Sequence, residues 1–120
     1  MITLATLPQA TEQQIFDQVS KHLLTQMQRS ENSDYCAYRD PCGLKCAAGC
    51  LIADSEYVAE MDHNMEGSDW EQLIKNGLVP PEHKEFIVKL QQLHDNEDPA
   101  QWRHHLTVFA KEHKLVMAVD

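Results

Sequence analysis

The stretch that decides the fold is residues 36–52, CAYRDPCGLKCAAGCLI, which contain all four cysteines of the chain. Residues 40–43, DPCG, place Asp, Pro and Gly where a type I turn prefers them. Gly43 can also adopt the left-handed conformation that lets a hairpin close. Strand-like pieces flank this turn, so the sequence predicts a β-hairpin over residues 35–46. The small side chains of residues 46–50 predict a turn on which another backbone segment packs closely.

The segment before the cysteines predicts the first helix. Thr11 is a favourable N-cap, and Gln14, three residues later, can complete a capping box. The apolar residues that follow recur at helical spacing and predict one buried stripe, formed by Ile15, Phe16, Val19, Leu23 and Met27.

The remainder of the chain predicts further helices, over residues 54–61, 68–77, 79–98 and 98–115. Their start and stop signals are N-caps, first-turn prolines and a C-terminal glycine, namely Ser68, Asp98, Pro81, Pro99 and Gly77. Residues 116–120 predict a short strand or an extended tail. The predicted fold class is therefore α+β and mostly helical, with four or five helices packed with one short hairpin, in a single domain over residues 1–120.

Negative charge is concentrated in one part of the chain. The net charge is −9, from 19 acidic and 10 basic residues. Residues 46–75 supply six of these nine excess charges, because they hold seven acids against Lys75 alone. The seven are Asp54, Glu56, Glu60, Asp62, Glu66, Asp69 and Glu71. Such a surface repels nucleic acid and attracts cations or basic protein grooves, although it can also serve solubility alone.

Targeting signals are not evident in the sequence. The N-terminus has neither a basic region nor a long apolar run, and no stretch approaches the roughly 20 apolar residues of a membrane span. We therefore expect a cytoplasmic protein without a membrane partner, in a compartment where thiols stay mostly reduced.

The four cysteines leave several interpretations open. Structural zinc usually needs ligand pairs two residues apart, whereas the spacing here is C-x5-C-x3-C-x3-C. If zinc binds, its ligands are Cys36, Cys42, Cys46 and Cys50. The simpler interpretation is that Cys46 and Cys50 are small buried side chains. A reversible bridge between Cys36 and Cys46, on opposite arms of the predicted hairpin, is a third.

Catalytic and calcium-binding patterns are incomplete. No local signature ties a cysteine to one of the seven histidines, so we expect no catalytic residue. Residues 62–67 match the start of an EF-hand loop, but Leu73 stands where the bidentate glutamate belongs. We therefore expect no cofactor and no enzyme, with a zinc- or redox-dependent module as the alternative.

The cysteine segment resembles small proteins encoded by tailed phages and prophages. These proteins carry a first helix similar to residues 13–26, then C-x-Y-R, a glycine-containing turn and GLKCA-x-G-x-LI, and the resemblance covers roughly residues 12–67. The matching positions are Cys36, Tyr38, Arg39, Gly43, Leu44, Lys45, Cys46, Ala47, Gly49 and Ile52. The turn at 40–42 and Cys50 depart from the family pattern, which weakens the zinc interpretation.

The resemblance implies a phage or prophage protein acting in the cytoplasm of a bacterial host. Proteins of this size and charge from that setting often inhibit a host machine. The implied function is thus a non-enzymatic acidic interaction protein, an anti-CRISPR-like or anti-restriction-like inhibitor of a defence or nucleic-acid-handling complex. Its partner would be a host or phage protein with a basic groove, without direct nucleic-acid binding. The contact residues would be the seven acids together with Arg39 and Lys45, two bases that can instead pair with those acids.

Overall fold

A computed structural model describes residues 1–28, 30–32, 35–40, 43–62 and 69–117. Four α-helices account for most of the regular structure in these ranges: α1 Glu12–Gln26, α2 Trp70–Lys75, α3 Lys84–Asn96 and α4 Trp102–Glu112. Two strands of two residues each, β1 Glu31–Asn32 and β2 Tyr35–Cys36, form an antiparallel pair. Short 3-10 turns occupy Leu7–Gln9, Gly49–Leu51, Ala59–Asp62 and Pro99–Gln101. The protein is mostly helical, as predicted.

Helix α1 begins as the sequence predicts. The side chain of Thr11 accepts the N–H of Gln14 at 3.1 Å, and the side-chain oxygen of Gln14 accepts the N–H of Thr11 at 2.9 Å. The predicted apolar stripe is buried except at its last member. Met27 is the C-cap in a left-handed conformation (φ 52°) and is 43 % exposed, because the helix ends one residue earlier.

The later helices confirm some predicted boundaries and correct others. Asp98 caps the turn at Pro99, which leads directly into α4 as predicted. Helix α3 begins at Lys84 rather than at Pro81, because His83 adopts a left-handed conformation (φ 63°) that the helix cannot include. The helix predicted over residues 54–61 is reduced to the 3-10 turn Ala59–Asp62.

Helix α2 is capped one residue later than predicted. Asp69, rather than Ser68, is the N-cap, and its carboxylate accepts the N–H of Gln72 at 2.8 Å. Ser68 itself lies outside the described residues. Gly77 ends the helix with φ 73°, as its position predicted.

Three helices and the cysteine segment enclose the core. Phe16 of α1 stacks on Phe109 of α4 with ring centroids 5.9 Å apart, and Phe86 of α3 meets Phe109 edge-on at 5.4 Å. Fully burying an aromatic or branched side chain contributes about 1.5–3 kcal/mol. The largest buried side chains are Trp70, Trp102, Phe16, Leu7, Ile15, Leu23, Leu51, Ile52, Met61, Leu73, Ile87 and Leu90.

The hairpin predicted over residues 35–46 does not form. Strand β2 pairs upstream with β1, so that Glu31 faces Cys36 and Asn32 faces Tyr35. Downstream, the described residues keep a single antiparallel bridge between Arg39 and Lys45. The N–H of Gly43 donates to the carbonyl of Asp40 at 3.0 Å, and residues 41–42 between them lie outside the described residues.

Side chains from other segments explain why the strand pairing of the predicted hairpin does not form. The carbonyl of Ala37 accepts the hydroxyl of Ser30, and the N–H groups of Tyr38 and Arg39 both donate to the carboxylate of Asp62. An N–H group that donates to a carboxylate cannot also donate across a hairpin, so the N–H of Tyr38 is withdrawn from the predicted pairing, whereas Arg39 keeps its bridge to Lys45. The prediction was wrong because these partners lie 7 or more positions away in sequence.

The small residues after the turn pack closely, as predicted. A Cβ placed on Gly49 would lie 3.1 Å from the carbonyl carbon of Tyr38 and closer still to its oxygen. Only glycine fits there, so the 3-10 turn Gly49–Leu51 packs directly on the backbone of residue 38. Among the described residues, no helix has the length and apolar character to cross a membrane.

Candidate functional site

The acidic segment, residues 54–71, is the candidate site, and Asp62 is one of its half-buried carboxylates. Its two oxygens accept three hydrogen bonds, from the N–H of Tyr38 at 2.9 Å, the N–H of Arg39 at 3.0 Å and the hydroxyl of Tyr57 at 2.6 Å. Burial, together with this hydrogen bond, raises the pKa of Tyr57. Asp62 therefore joins its own part of the acidic segment to residues 38–39, and both of its oxygens are engaged by hydrogen bonds within the protein.

Glu56 performs a similar structural task at the N-terminus. Its carboxylate accepts the N–H groups of Leu4 at 2.8 Å, Ala5 at 3.0 Å and Ala53 at 3.0 Å. Burial acts to raise the pKa of Glu56, but these hydrogen bonds outweigh it and hold the pKa below its ordinary value of 4.5. Through these bonds Glu56 connects residues 4–5 to the acidic segment.

The two bases, Arg39 and Lys45, pair with the acidic segment. The guanidinium of Arg39 donates to Asp54 Oδ1 and to the carbonyl of Ile52, both at 2.7 Å, and its Cζ lies 4.9 Å from the centroid of the Tyr57 ring. Lys45 Nζ lies 3.6 Å from the same Asp54 oxygen. Lys45 and Arg39 together hold the pKa of Asp54 below its ordinary value. The pairing of the two bases with the acids, which the sequence offered as an alternative to partner contact, is thus present at Asp54.

The remaining predicted acids are more exposed. Asp69 caps α2, and Glu71 lies 3.4 Å from Lys84 Nζ and 4.0 Å from Lys75 Nζ. Glu60 is exposed and has no ion pair with any described residue. Glu66 lies outside the described residues. The exposed carboxylates of the segment are thus Asp54, Glu60, Asp69 and Glu71.

The cysteines that the structure describes are held by local backbone contacts. Cys46 is 1 % exposed, and its sulfur accepts the N–H of Gly49 at 3.2 Å, while the Cys50 thiol donates to the carbonyl of Ala47 at 3.1 Å. Burial raises the pKa of Cys46 well above its ordinary value and that of Cys50 to about 12. Both environments disfavour the thiolate that zinc binding and disulfide exchange require.

The zinc and bridge interpretations stay predictions, because two of the thiols cannot be placed. Cys42 and the side chain of Cys36 lie outside the described part of the chain. Within the described part, no three His, Cys, Asp or Glu side chains are grouped so that they could hold a metal ion. Native mass spectrometry of freshly purified protein would test both ideas, because bound zinc and a disulfide each change the mass.

A serine, a histidine and an aspartate meet in the core without forming a catalytic arrangement. His94 is fully buried; its Nε2 accepts the backbone N–H of Ser30 at 3.2 Å, and its Nδ1 lies 2.8 Å from Asp95 Oδ1. The Ser30 hydroxyl instead donates to backbone carbonyls, including that of Leu44 at 2.9 Å. A nucleophilic serine needs its hydroxyl on the histidine, so this set fixes structure.

Three glutamines of α1 form contacts that the sequence reasoning missed. Each amide both donates to and accepts from the backbone of one residue: Gln13 binds Val116, Gln18 binds Ile2 and Gln26 binds Lys45. These six bonds span 2.6–3.0 Å. Only the spacing of the glutamines along one helix could have suggested them, since a polar helical residue is usually interpreted as solvated.

An open groove runs along α1 beside two of these glutamine contacts. Its volume is about 1030 Å³, and its lining includes Ile2, Lys21, His22, Lys45 and Cys50. Burial lowers the pKa of His22, whose Nε2 lies 2.8 Å from the carbonyl of Lys45. The lining holds two lysines, Lys21 and Lys45, against one acid, Asp17, on an otherwise acidic protein.

Comparison of the chain with protein-family models, with curated proteins and with solved structures finds no match. The functional argument therefore rests on the residues of this chain.

Proposed function

We propose that this protein is a small, non-enzymatic acidic interaction protein of phage or prophage type, which inhibits a defence or nucleic-acid-handling complex in the bacterial cytoplasm. The observation that carries the proposal is the acid excess of residues 46–75, where seven acids stand against one base and four of the six carboxylates that the structure describes are exposed. A basic groove that binds nucleic-acid phosphates also attracts such a surface.

The acids of the segment divide into two roles under this proposal. Glu56 and Asp62 each accept three hydrogen bonds and thereby hold the backbone of residues 54–62 in place. Glu60 presents its charge to solvent from these residues, and Glu71 presents its charge from helix α2. Because fixed charges lose less entropy on binding than charges on a free chain, the internal bonds support a specific contact.

Charge reversal at exposed positions tests the proposal, and urea denaturation of each variant checks that the fold is kept, since Glu71 pairs with Lys84 and Lys75. The test variant combines Glu60→Lys with Glu71→Lys, and the matched control combines Glu82→Lys with Glu112→Lys, two exposed acids outside the segment. Each pair of reversals changes the net charge from −9 to −5, since each reversal adds two positive charges. The two variants therefore differ in where the charge is changed and not in its amount.

The readout is phage plating on a bacterial host that carries a restriction or CRISPR system, together with affinity capture from that host. We expect the wild type and the control to raise plating efficiency and to capture a nucleic-acid-handling complex that added DNA competes away. The test variant should lose both properties. The proposal is wrong if the test variant protects phage as well as the control does, or if none of the three proteins alters plating on hosts with either system.

A further inference from the structure

We propose that Arg39 and Lys45 form a clamp for the phosphate or carboxylate group of a small anionic ligand, and that Asp54 occupies this clamp until the ligand displaces it. Both cations contact the same oxygen of Asp54, at 2.7 Å from Arg39 Nη1 and 3.6 Å from Lys45 Nζ. Two cations converging on one oxygen is the arrangement by which proteins hold an oxyanion.

The clamp does not depend on Asp54 for its shape. Arg39 is held by the carbonyl of Ile52 at 2.7 Å, by the face of the Tyr57 ring at 4.9 Å, and through its own backbone N–H by Asp62 at 3.0 Å. Its side chain is only 17 % exposed. The backbone of Lys45 is fixed by the amide of Gln26. The guanidinium of Arg39 would therefore stay in place if the aspartate moved away, and Lys45 Nζ would extend from a backbone that is held independently of Asp54.

Asp54 is a weak occupant. Its side chain is 86 % exposed, and it lies in the turn that follows the buried residues Leu51 and Ile52. Exposed ion pairs shift an equilibrium by no more than about fivefold, because solvent screens them and ordering the side chains costs entropy. A free phosphate or carboxylate therefore has to overcome only a weak ion pair to displace Asp54.

The groove along α1 adjoins the clamp through one shared residue, Lys45, and we place the rest of the ligand there. Lys45 lines this groove as well as facing Asp54, and Lys21 and Asp17 are the other fully charged side chains in its lining. The apolar part of the lining includes Ile2 and Cys50. A volume of about 1030 Å³ lies at the upper end of the range for small-molecule sites, which is roughly 300–1,000 Å³. Ligands with one anionic group and an apolar body fit this combination.

The test measures anion binding by the intact protein. Inorganic phosphate and acetate are titrated in separate arms into 15N-labelled protein at an ionic strength held constant with sodium chloride. The variants are Asp54→Asn, which removes the negative charge of the occupant, and Asp54→Asn combined with Lys45→Gln, which also removes one cation. Glu82→Gln, at an exposed acid outside the clamp, is the matched control. The arm with the tighter binding identifies the preferred group.

We expect Asp54→Asn to bind at least one of the two anions about fivefold more tightly than the wild type, with shifts at the amides of residues 39 and 45. The Lys45→Gln addition should reverse this gain, and Glu82→Gln should leave the wild-type affinity unchanged. Equal affinities in wild type and Asp54→Asn would overturn the proposal, as would a gain that survives Lys45→Gln. The outcome is independent of the acidic-surface proposal, because no acid used in that test belongs to the clamp.

Discussion

Replacement of Asp62 by asparagine tests whether this acid is a structural anchor or a partner contact. The substitution keeps the size of the side chain and removes its charge. The wild-type carboxylate accepts from Tyr38 N, Arg39 N and the Tyr57 hydroxyl. An asparagine has only one oxygen for these three donors, and its NH2 group must face at least one of them.

The expected loss of stability follows from these three bonds. Hydrogen bonds to a charged acceptor contribute about 1.5–3 kcal/mol each, and the loss of one partner leaves a half-buried donor unpaired. With one bond lost and two weakened, we expect the free energy of unfolding to fall by about 2–4 kcal/mol. This is a large share of the roughly 5–15 kcal/mol that stabilises a typical domain.

Urea denaturation followed by tryptophan fluorescence measures this loss, since Trp70 and Trp102 are both buried. Glu60→Gln is the matched control, because it makes the same chemical change at an exposed acid and should stay within about 0.5 kcal/mol of wild type. Tyr57→Phe removes only the 2.6 Å bond, and its effect should be less than additive with that of Asp62→Asn.

The structural reasoning is refuted if Asp62→Asn is as stable as Glu60→Gln. A variant of wild-type stability that loses the plating effect would mark Asp62 as a contact residue, as the sequence alone predicted. Loss of stability with normal plating at low temperature would support the anchor.

Three further predictions concern other positions. Gly49→Ala should lower the free energy of unfolding by about 3 kcal/mol because its methyl group meets backbone atoms of Tyr38, whereas Gly43→Ala, in open space at φ 84°, should cost about 1–2 kcal/mol; urea denaturation compares them. The lowered pKa of Glu56 means that its carboxylate stabilises the fold above pH 4.5 and loses this effect as the pH falls through the folded-state pKa. The stability difference between wild type and Glu56→Gln should therefore shrink on acidification from neutral pH, and a difference constant with pH would contradict this. With its pKa near 12, Cys50 should react with iodoacetamide at pH 8 about a thousandfold more slowly in the native protein than in urea, as mass spectrometry after timed quenching would show; equal rates in the two conditions would contradict this.

The parts of the fold that follow local rules could be predicted from the sequence. The capping box of Thr11 and Gln14, the helix stop at Gly77 and the start at Pro99 each depend on residues within one turn of one another. The packing of Gly49 was predictable for a similar reason, since small side chains in a row leave a backbone accessible. These local signals predict the structure correctly because few other residues of the chain compete for the same backbone groups.

The strand pairing could not be predicted, because side chains from distant segments compete with it. Ser30 and Asp62 bind the backbone of residues 37–39, and no pattern within the cysteine segment reveals them. The acidic site shows the same difficulty. The number of acids and bases locates the excess of negative charge along the sequence. It does not show which carboxylates accept backbone N–H groups, because this depends on tertiary contacts such as that of Glu56 with Leu4.

The glutamine contacts of α1 have a consequence for hydrogen exchange. The amides of Ile2, Lys45 and Val116 belong to no helix or regular strand, yet each donates to a glutamine oxygen at 2.6–3.0 Å. Each should exchange with deuterium more slowly than its neighbours and at the rate at which its own contact opens. Three single amides would then report separately on the opening of the N-terminal segment, the groove wall and the C-terminal segment, all relative to one helix.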